Sequence, residues 1–258
     1  MPTDLRIKLP LANYKVEQIV EKRKHLYRAT LSDGTTRNGG GVTGVLGIIS
    51  KPALIPWATK TALSCAEAAL TARIGGKITL TASWIKEIME EAKKKPDKVK
   101  DDAADLGTRA HAFFDAFIRG EKVDSVPEIL VPAVTAFHNW IRESKIRVIQ
   151  GDTKVFSLIH RYGGALDAIG MGDEGEFVLL DWKTSSGCYP EMALQVAAYS
   201  QAFKETYGIE VSRAIIVRFS KVPPVEFETK EVVDIKKSFN AFISAKELQS
   251  SLQEDQFC

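Results

Sequence analysis

Near residue 146 the hydrophobic pattern of this chain changes period, and that change limits the fold more than any other feature. Up to that point the longer segments repeat their apolar residues at helical spacing, as Leu106, Ala110, Phe113, Phe114 and Phe117 do over Lys100 to Arg119. Beyond it the text breaks into short runs rich in β-branched residues, at Ile146 to Gln150, VFSLIH, ALDAIGM and EFVLLDW, separated by Gly, Asp or Glu. Met171-Gly172-Asp173-Glu174-Gly175 reads as the hairpin turn between the last two. A helix over Glu191 to Tyr207 follows, then the strand VSRAIIVRF and a further run, VEFETKEV. A closing amphipathic helix covers Asp234 to Gln253, with Asp234 as its N-cap. Helices first, then strands around one helix, imply an α/β core carrying a helical N-terminal lobe, with the lobe at residues 1–100 and the core at 101–258.

Within the lobe, HLYRATL, the turn Ser32-Asp33-Gly34 and the run Gly39-Gly40-Gly41 predict a hairpin and a glycine loop that bends sharply or lets another backbone come close. Helices are predicted from Val42 to the stop at Lys51-Pro52, from Ile55 to Ile74 before Gly75-Gly76, and from Ser83 to Lys94, where Lys93-Lys94-Lys95-Pro96 should break the helix. A further helix is predicted over Glu128 to Ser144, with Pro132 near its start.

Chemistry concentrates in RYGGALDAIGMGDEGEFVLLDWKTS. Side chains alternate across a strand, so Asp181 and Lys183 share a face while Trp182 points the other way. A hairpin between the strands brings Asp167, 14 positions earlier, beside Asp181. Two close carboxylates repel and lose hydration unless a divalent cation neutralises them. Oxygen-rich ligation favours Mg²⁺ or Mn²⁺, which lowers the pKa of bound water and stabilises a phosphoryl transition state. Lys183 would then hold the attacking water and offset phosphate charge. An isolated Asp-x-Lys is by default a strand-end cap beside a solvated lysine, and it is the second strand-end aspartate that shifts the balance.

The string Gly164-(x)2-Asp167…Asp181-Trp182-Lys183-Thr184-Ser185 resembles the PD-(D/E)xK nuclease superfamily, and within it the RecB-like branch and the mitochondrial genome maintenance exonucleases. Gly107-(x)3-His111 in LGTRAHAFFDAF, Gln195-(x)3-Tyr199 in LQVAAYSQAF and the opening GVTGVLG…PALIPW are similar to further motifs of that branch, in the same order. The resemblance implies an α/β restriction-endonuclease-like core, αβββαβ, with a central mixed sheet flanked by helices. It also implies Mg²⁺- or Mn²⁺-dependent hydrolysis of DNA. By position it makes Asp167, Asp181, His111 and the Trp182 carbonyl metal ligands and Lys183 the catalytic lysine. Gln195 and Tyr199 would support the lysine or contact the DNA backbone. Relatives often carry a Glu on the strand before the first Asp, where this chain offers only Asp152. An iron–sulfur cluster is not expected, because Cys65, Cys188 and Cys258 cannot supply four ligands.

The remaining residues are weaker pointers. A lone histidine on an apolar helix, as His111 is, is by default a hydrogen-bonded core residue, and polar residues four apart on a helix, as Gln195 and Tyr199 are, are common. His25, His138 and His160 have no comparable context. Arg109, Arg161, Thr184, Ser185 and Tyr189, with Lys204, are candidate DNA-backbone contacts, and Tyr189 and Trp57 are candidates for base stacking. Lys93–Lys95 with Lys98 and Lys100 form a basic run that is by default a solvated face. A formal net charge of +2 neither announces nor excludes a nucleic-acid partner. Three scattered cysteines argue against a disulfide framework, and no apolar run nears the roughly 20 residues that span a bilayer.

Three functions stay open at this point. The first is an exonuclease on single-stranded or end-exposed DNA in replication, recombination or repair, working with a single-strand-binding or annealing partner. The second is a structure-specific or restriction-type endonuclease, and the third a DNA-binding protein with a decayed site. The expected location is the cytoplasm, or the host cytoplasm for a phage-encoded chain.

Overall fold

The computed structural model describes residues 8–21, 24–74, 81–122 and 125–254, so Cys258 and the helix stop expected at Gly75-Gly76 lie outside the described residues. It divides into two units, one of residues 1–49 with 109–258 and a second of residues 50–108.

In the first unit the alternating runs after residue 146 form three antiparallel strands. They are β4 (Arg147–Ser157), β5 (Tyr162–Met171) and β6 (Phe177–Lys183). The two runs expected at 146–150 and 155–160 join in one strand, because Gly151, Thr153 and Lys154 between them also pair with β5; a bulge between Val148 and Gln150 shifts the register once. Gly175, with φ of +81°, makes the β5–β6 turn in a conformation that other residues resist.

The hairpin expected before residue 45 is a three-strand meander, β1 (Lys15–Glu21), β2 (Lys24–Thr30) and β3 (Thr36–Gly41). Its first strand falls in the charged stretch. The meander joins the core sheet through parallel pairing of Gly40 with Tyr162 and Gly41 with Gly163. A Cβ on Gly39 would lie 2.3 Å from the Arg161 carbonyl oxygen, so the glycine run serves close backbone approach. These strands therefore belong to the core sheet and not to a separate lobe.

Two strands complete the eight-stranded mixed sheet, β7 (Arg213–Phe219), parallel to β6, and β8 (Phe227–Glu231), antiparallel to β7. β4 occupies one edge of β5 along nearly its whole length. β3 and β6 must therefore share the other edge, β3 at Tyr162–Gly163 and β6 from Ala168 onward. Residues 164–167 have no strand partner on that edge. The ladder opens there.

Helices cover both faces of this unit. On one side α5 (Pro190–Tyr207), α6 (Ile235–Gln253) and the short α1 (Val42–Leu46) bury Leu166, Ile169, Leu179, Val196, Phe203 and Phe242. On the other, α4 (Val131–Glu143) and the end of α3 bury Phe114, Phe137 and Trp140 against Trp182 and Phe219, with ring centroids 4.4–5.8 Å apart. Asp234 caps α6 as expected, accepting the Lys237 amide at 2.8 Å.

The second unit holds α2 (Leu54–Thr71) and the part of α3 up to residue 108, packed through Ala66, Ile88 and Ala92. The α3 helix (Ala82–Ile118) runs unbroken for 37 residues through Pro96. The break expected at Lys93–Pro96 does not occur. Proline costs about 3 kcal/mol inside a helix, and the Lys-, Glu- and Ala-rich sequence on either side propagates strongly enough to carry it. Among the described residues, no helix is long and apolar enough to cross a membrane.

Candidate functional site

The opening in the ladder places the first carboxylate. Beyond the Ala168–Leu180 pair β5 and β6 exchange no further backbone bonds, and the Asp167 side chain takes over, its Oδ2 accepting the Trp182 amide at 2.7 Å. Its Oδ1 lies 3.1 Å from Nδ1 of His111, which α3 presents one turn before Asp115. On β6, Lys183 Nζ stands 2.5 Å from Asp181 Oδ2. That oxygen is buried, and the Lys183 ammonium is the charge that compensates it. Residues 56 and 70 positions downstream of His111 thus meet it, and the hairpin brings Asp167 beside the Asp181 strand end as the spacing predicts.

Burial sets the electrostatics. The Asp181 side chain is 2% exposed and that of Lys183 18%. Burial pushes the Asp181 carboxyl up to about 6; Lys183 opposes this and Asp167 adds to it. For Asp167 burial also acts upward, yet the charge and hydrogen bond of His111, with Lys183 and the Trp182 amide, hold it below the usual carboxylate range. His111 and Lys183 both lie above their ordinary values: burial alone would lower them, and the two carboxylates outweigh it. At neutral pH this is a cluster of charges that compensate one another inside a poorly hydrated site.

The Gln195–Tyr199 pair is a hydrogen bond, Gln195 Nε2 donating to Tyr199 Oη at 3.0 Å. Tyr199 is 4% exposed. Its ring occupies the space a side chain at position 164 would need: a Cβ on Gly164 would lie 2.2 Å from Tyr199 Cε1. Gly164 is therefore a cradle for the ring. Burial holds the Tyr199 phenol well above its ordinary range, and Asp181 and Asp167 add to the effect, which places the ring beside the carboxylates.

The other expected residues divide. Thr184 is buried directly after Lys183, Ser185 Oγ donates to the Gly187 carbonyl at 2.8 Å, and Tyr189 caps α5 with its hydroxyl 2.7 Å from Ser186 Oγ. These three stay with the site. Arg161 does not: it makes the tight turn before β5 with φ of +56°. It lies six positions before Asp167 along the chain, roughly 20 Å at strand spacing. Lys204 pairs with Glu210 at 3.3 Å near the far end of α5. Arg109 is exposed on α3. Asp152 has φ of +37° and an exposed carboxylate 3.3 Å from Lys154, so it does not join the cluster in place of the missing Glu. Trp57 and the Lys93–Lys100 run lie in the second unit. His25 bonds Gln18, and His138 and His160 pack against Phe117 and Phe239.

One neighbour went unseen in the sequence. Arg218 on β7 pairs in parallel register with Lys183, and only strand register, which the sequence does not print, puts them side by side.

Among the described residues, no three His, Cys, Asp or Glu side chains are spaced to hold a metal as they stand. The chemistry of the donor set still suits a hard cation: two carboxylates, the His111 imidazole and the adjacent Trp182 backbone carbonyl.

No family model and no curated protein matches the chain. Among solved structures it is similar to SSO0001 (14% identity, TM-score 0.32, 50% of this chain and 63% of the other). It is also similar to a candidate exonuclease from Eubacterium rectale (10%, 0.37, 57% and 64%). A third is the alkaline exonuclease LHK-Exo from Laribacter hongkongensis (12%, 0.32, 70% and 88%). The matched region spans just under two thirds of the first two proteins.

Proposed function

We propose that this chain is a divalent-metal-dependent deoxyribonuclease with a PD-(D/E)xK core, acting as an exonuclease on single-stranded or end-exposed DNA. One observation carries the reading: Asp167, Asp181, Lys183 and His111 converge where the β5–β6 ladder opens, two carboxylates, one of them almost fully buried, beside a lysine and a histidine.

Asp167 and Asp181 would hold Mg²⁺ or Mn²⁺, with His111 and the Trp182 carbonyl completing the protein ligands. The ion supplies a more acidic bound water and a Lewis acid at the phosphoryl oxygen. The chain's own groups do the rest. Lys183, beside Asp181, would orient the attacking water and neutralise charge on the phosphate. His111 keeps Asp167 ionised and fixed in direction. Tyr199, locked by Gln195 and the Gly164 cradle, walls the site on its buried side and limits the water that reaches it. Thr184, Ser185 and Tyr189, at the mouth of α5, stand where a DNA backbone leaving the site would pass.

Digestion of end-labelled single- and double-stranded DNA, and of single-stranded circles, with Mg²⁺, with Mn²⁺ and with EDTA, tests this. Degradation of linear DNA with metal alone supports it. Cutting of circles would favour an endonuclease, and wild type and Lys183→Ala equally inactive with both metals would leave a DNA-binding protein.

A further inference from the structure

The geometry points to Arg218 as a phosphate-binding residue of this site, gripping the DNA backbone next to the phosphate that is cut. This assignment rests on the nuclease reading for its substrate.

Strand register supplies the first ground. Lys183 on β6 is paired with Arg218 on β7, and Arg218 with Glu228 on β8. Paired residues of neighbouring strands share a face, so the three side chains form one row, with backbones roughly 4.8 Å apart. Phe219, the next residue, packs on the opposite face against Phe114 and Phe137, which fixes Arg218 on the face of Lys183. The row continues the catalytic lysine outward towards the edge of the sheet.

Hydrogen bonding supplies the second. Arg218 Nε donates to Glu228 Oε2 at 3.0 Å. Among the described residues that is its sole hydrogen bond, so both Nη groups lack partners although the side chain is only 19% exposed. A guanidinium pinned at Nε with its terminal nitrogens open is the arrangement that receives two phosphate oxygens at once. Glu228 cannot cancel it fully, since Lys230 Nζ shares that carboxylate at 3.2 Å.

Neighbours supply the third. The Cys188 thiol feels Glu228, Arg218 and Lys230, while Lys183 feels Cys188. Lys183 leads directly into the loop of residues 184–189 before α5, so Arg218, paired with Lys183, stands beside the start of that loop.

A purely structural role is the alternative, a cross-strand ion pair with Glu228 that contributes to folding alone. The salt dependence of binding separates the two. Affinity of wild type, Arg218→Ala, Arg218→Lys and Glu228→Gln for a fluorescent single-stranded oligonucleotide is measured in EDTA over a NaCl series, beside their melting temperatures. One lost phosphate contact should flatten the slope of log K against log salt by about 0.7 in Arg218→Ala and weaken binding on the order of tenfold. Arg218→Lys should recover the slope and only part of the affinity, because it keeps the charge and loses the fork. Glu228→Gln should keep the full slope. In cleavage assays KM should rise by more than kcat falls. An unchanged slope in Arg218→Ala, with melting temperature lowered as in Glu228→Gln, overturns the assignment and leaves the nuclease reading intact. A protein that binds DNA with the expected slopes but cuts none supports Arg218 and removes the nuclease. Absence of DNA binding even at low salt overturns both.

Discussion

Replacing Gly164 with alanine tests how tightly the Tyr199 ring is held. The new Cβ would lie 2.2 Å from Tyr199 Cε1, 3.0 Å from Cδ1 and 3.1 Å from Cζ, whereas ordinary contact begins near 3.4 Å. The ring must retreat by at least about 1.2 Å, and it is buried between β5 and α5 with its hydroxyl tied to Gln195. Overpacking of this kind costs roughly 1–3 kcal/mol. Position 164 lies outside the left-handed region, so alanine also recovers about 0.4–1 kcal/mol by restricting the unfolded chain. A net loss of up to about 2.6 kcal/mol follows, or up to roughly 10 °C in melting temperature for a chain of this size. Tyr199→Ala removes the obstacle, so adding Gly164→Ala in that background should cost nothing, and urea titrations of the four proteins should give a coupling of about 1–3 kcal/mol. Effects that add to within about 0.5 kcal/mol would refute the cradle. Because a misplacement near 1 Å costs on the order of 10² in rate, DNA hydrolysis by Gly164→Ala should fall much further than its stability.

Lys183→Ala should lower DNA hydrolysis by about 10²–10⁴-fold in single-turnover assays while DNA affinity stays within a few-fold. A saturating divalent metal should raise the melting temperature of wild type, about 2.7 kcal/mol at 100 times Kd, and Asp181→Asn should abolish that rise in a thermal titration with Mn²⁺. The folded Asp181 carboxyl titrates near 6 against an ordinary 3.8, so its contribution to metal-free stability is present below pH 4 and lost as pH rises through 6. Urea midpoints of wild type should carry that decline, and those of Asp181→Asn should lack it. Asp234→Ala should cost about 1 kcal/mol by uncapping α6, with hydrolysis unaffected; a loss of activity beyond the loss of folded protein would give the helix another role.

Much of the site was legible because its determinants are local. Alternation puts Asp181 and Lys183 on one face, and a five-residue turn returns the chain to Asp167, so sequence spacing alone brings three of the four groups together. His111 needed a packed helix to reach Asp167, which apolar periodicity suggests but cannot aim. Arg218 was invisible, since its nearness to Lys183 depends on parallel register across a connection that includes all of α5. The helix break at Pro96 failed for the opposite reason: a strong local signal was overruled by the helix-forming residues around it. Strand β1 hid in charged text because an edge strand pairs through its backbone and leaves most of its side chains to solvent.

The two-residue parallel junction between β3 and β5 has a consequence for the order in which the protein comes apart. Among the described residues, Gly40–Tyr162 and Gly41–Gly163 are the sole strand-paired positions joining the meander to the rest of the sheet, and three of those four residues are glycine. The apolar cluster under the meander is small, Tyr14, Tyr27 and Ala29 against Phe156 of β4, with Val16 and Leu158 partly buried beside them. Amide protons in β1 and β2 should therefore exchange with solvent as a group, through an opening that leaves β6 and β7 protected. Within the sheet, deuterium uptake should rise first in residues 15–30 and last in 178–183 and 213–219, making the N-terminal strands its least stable cooperative unit.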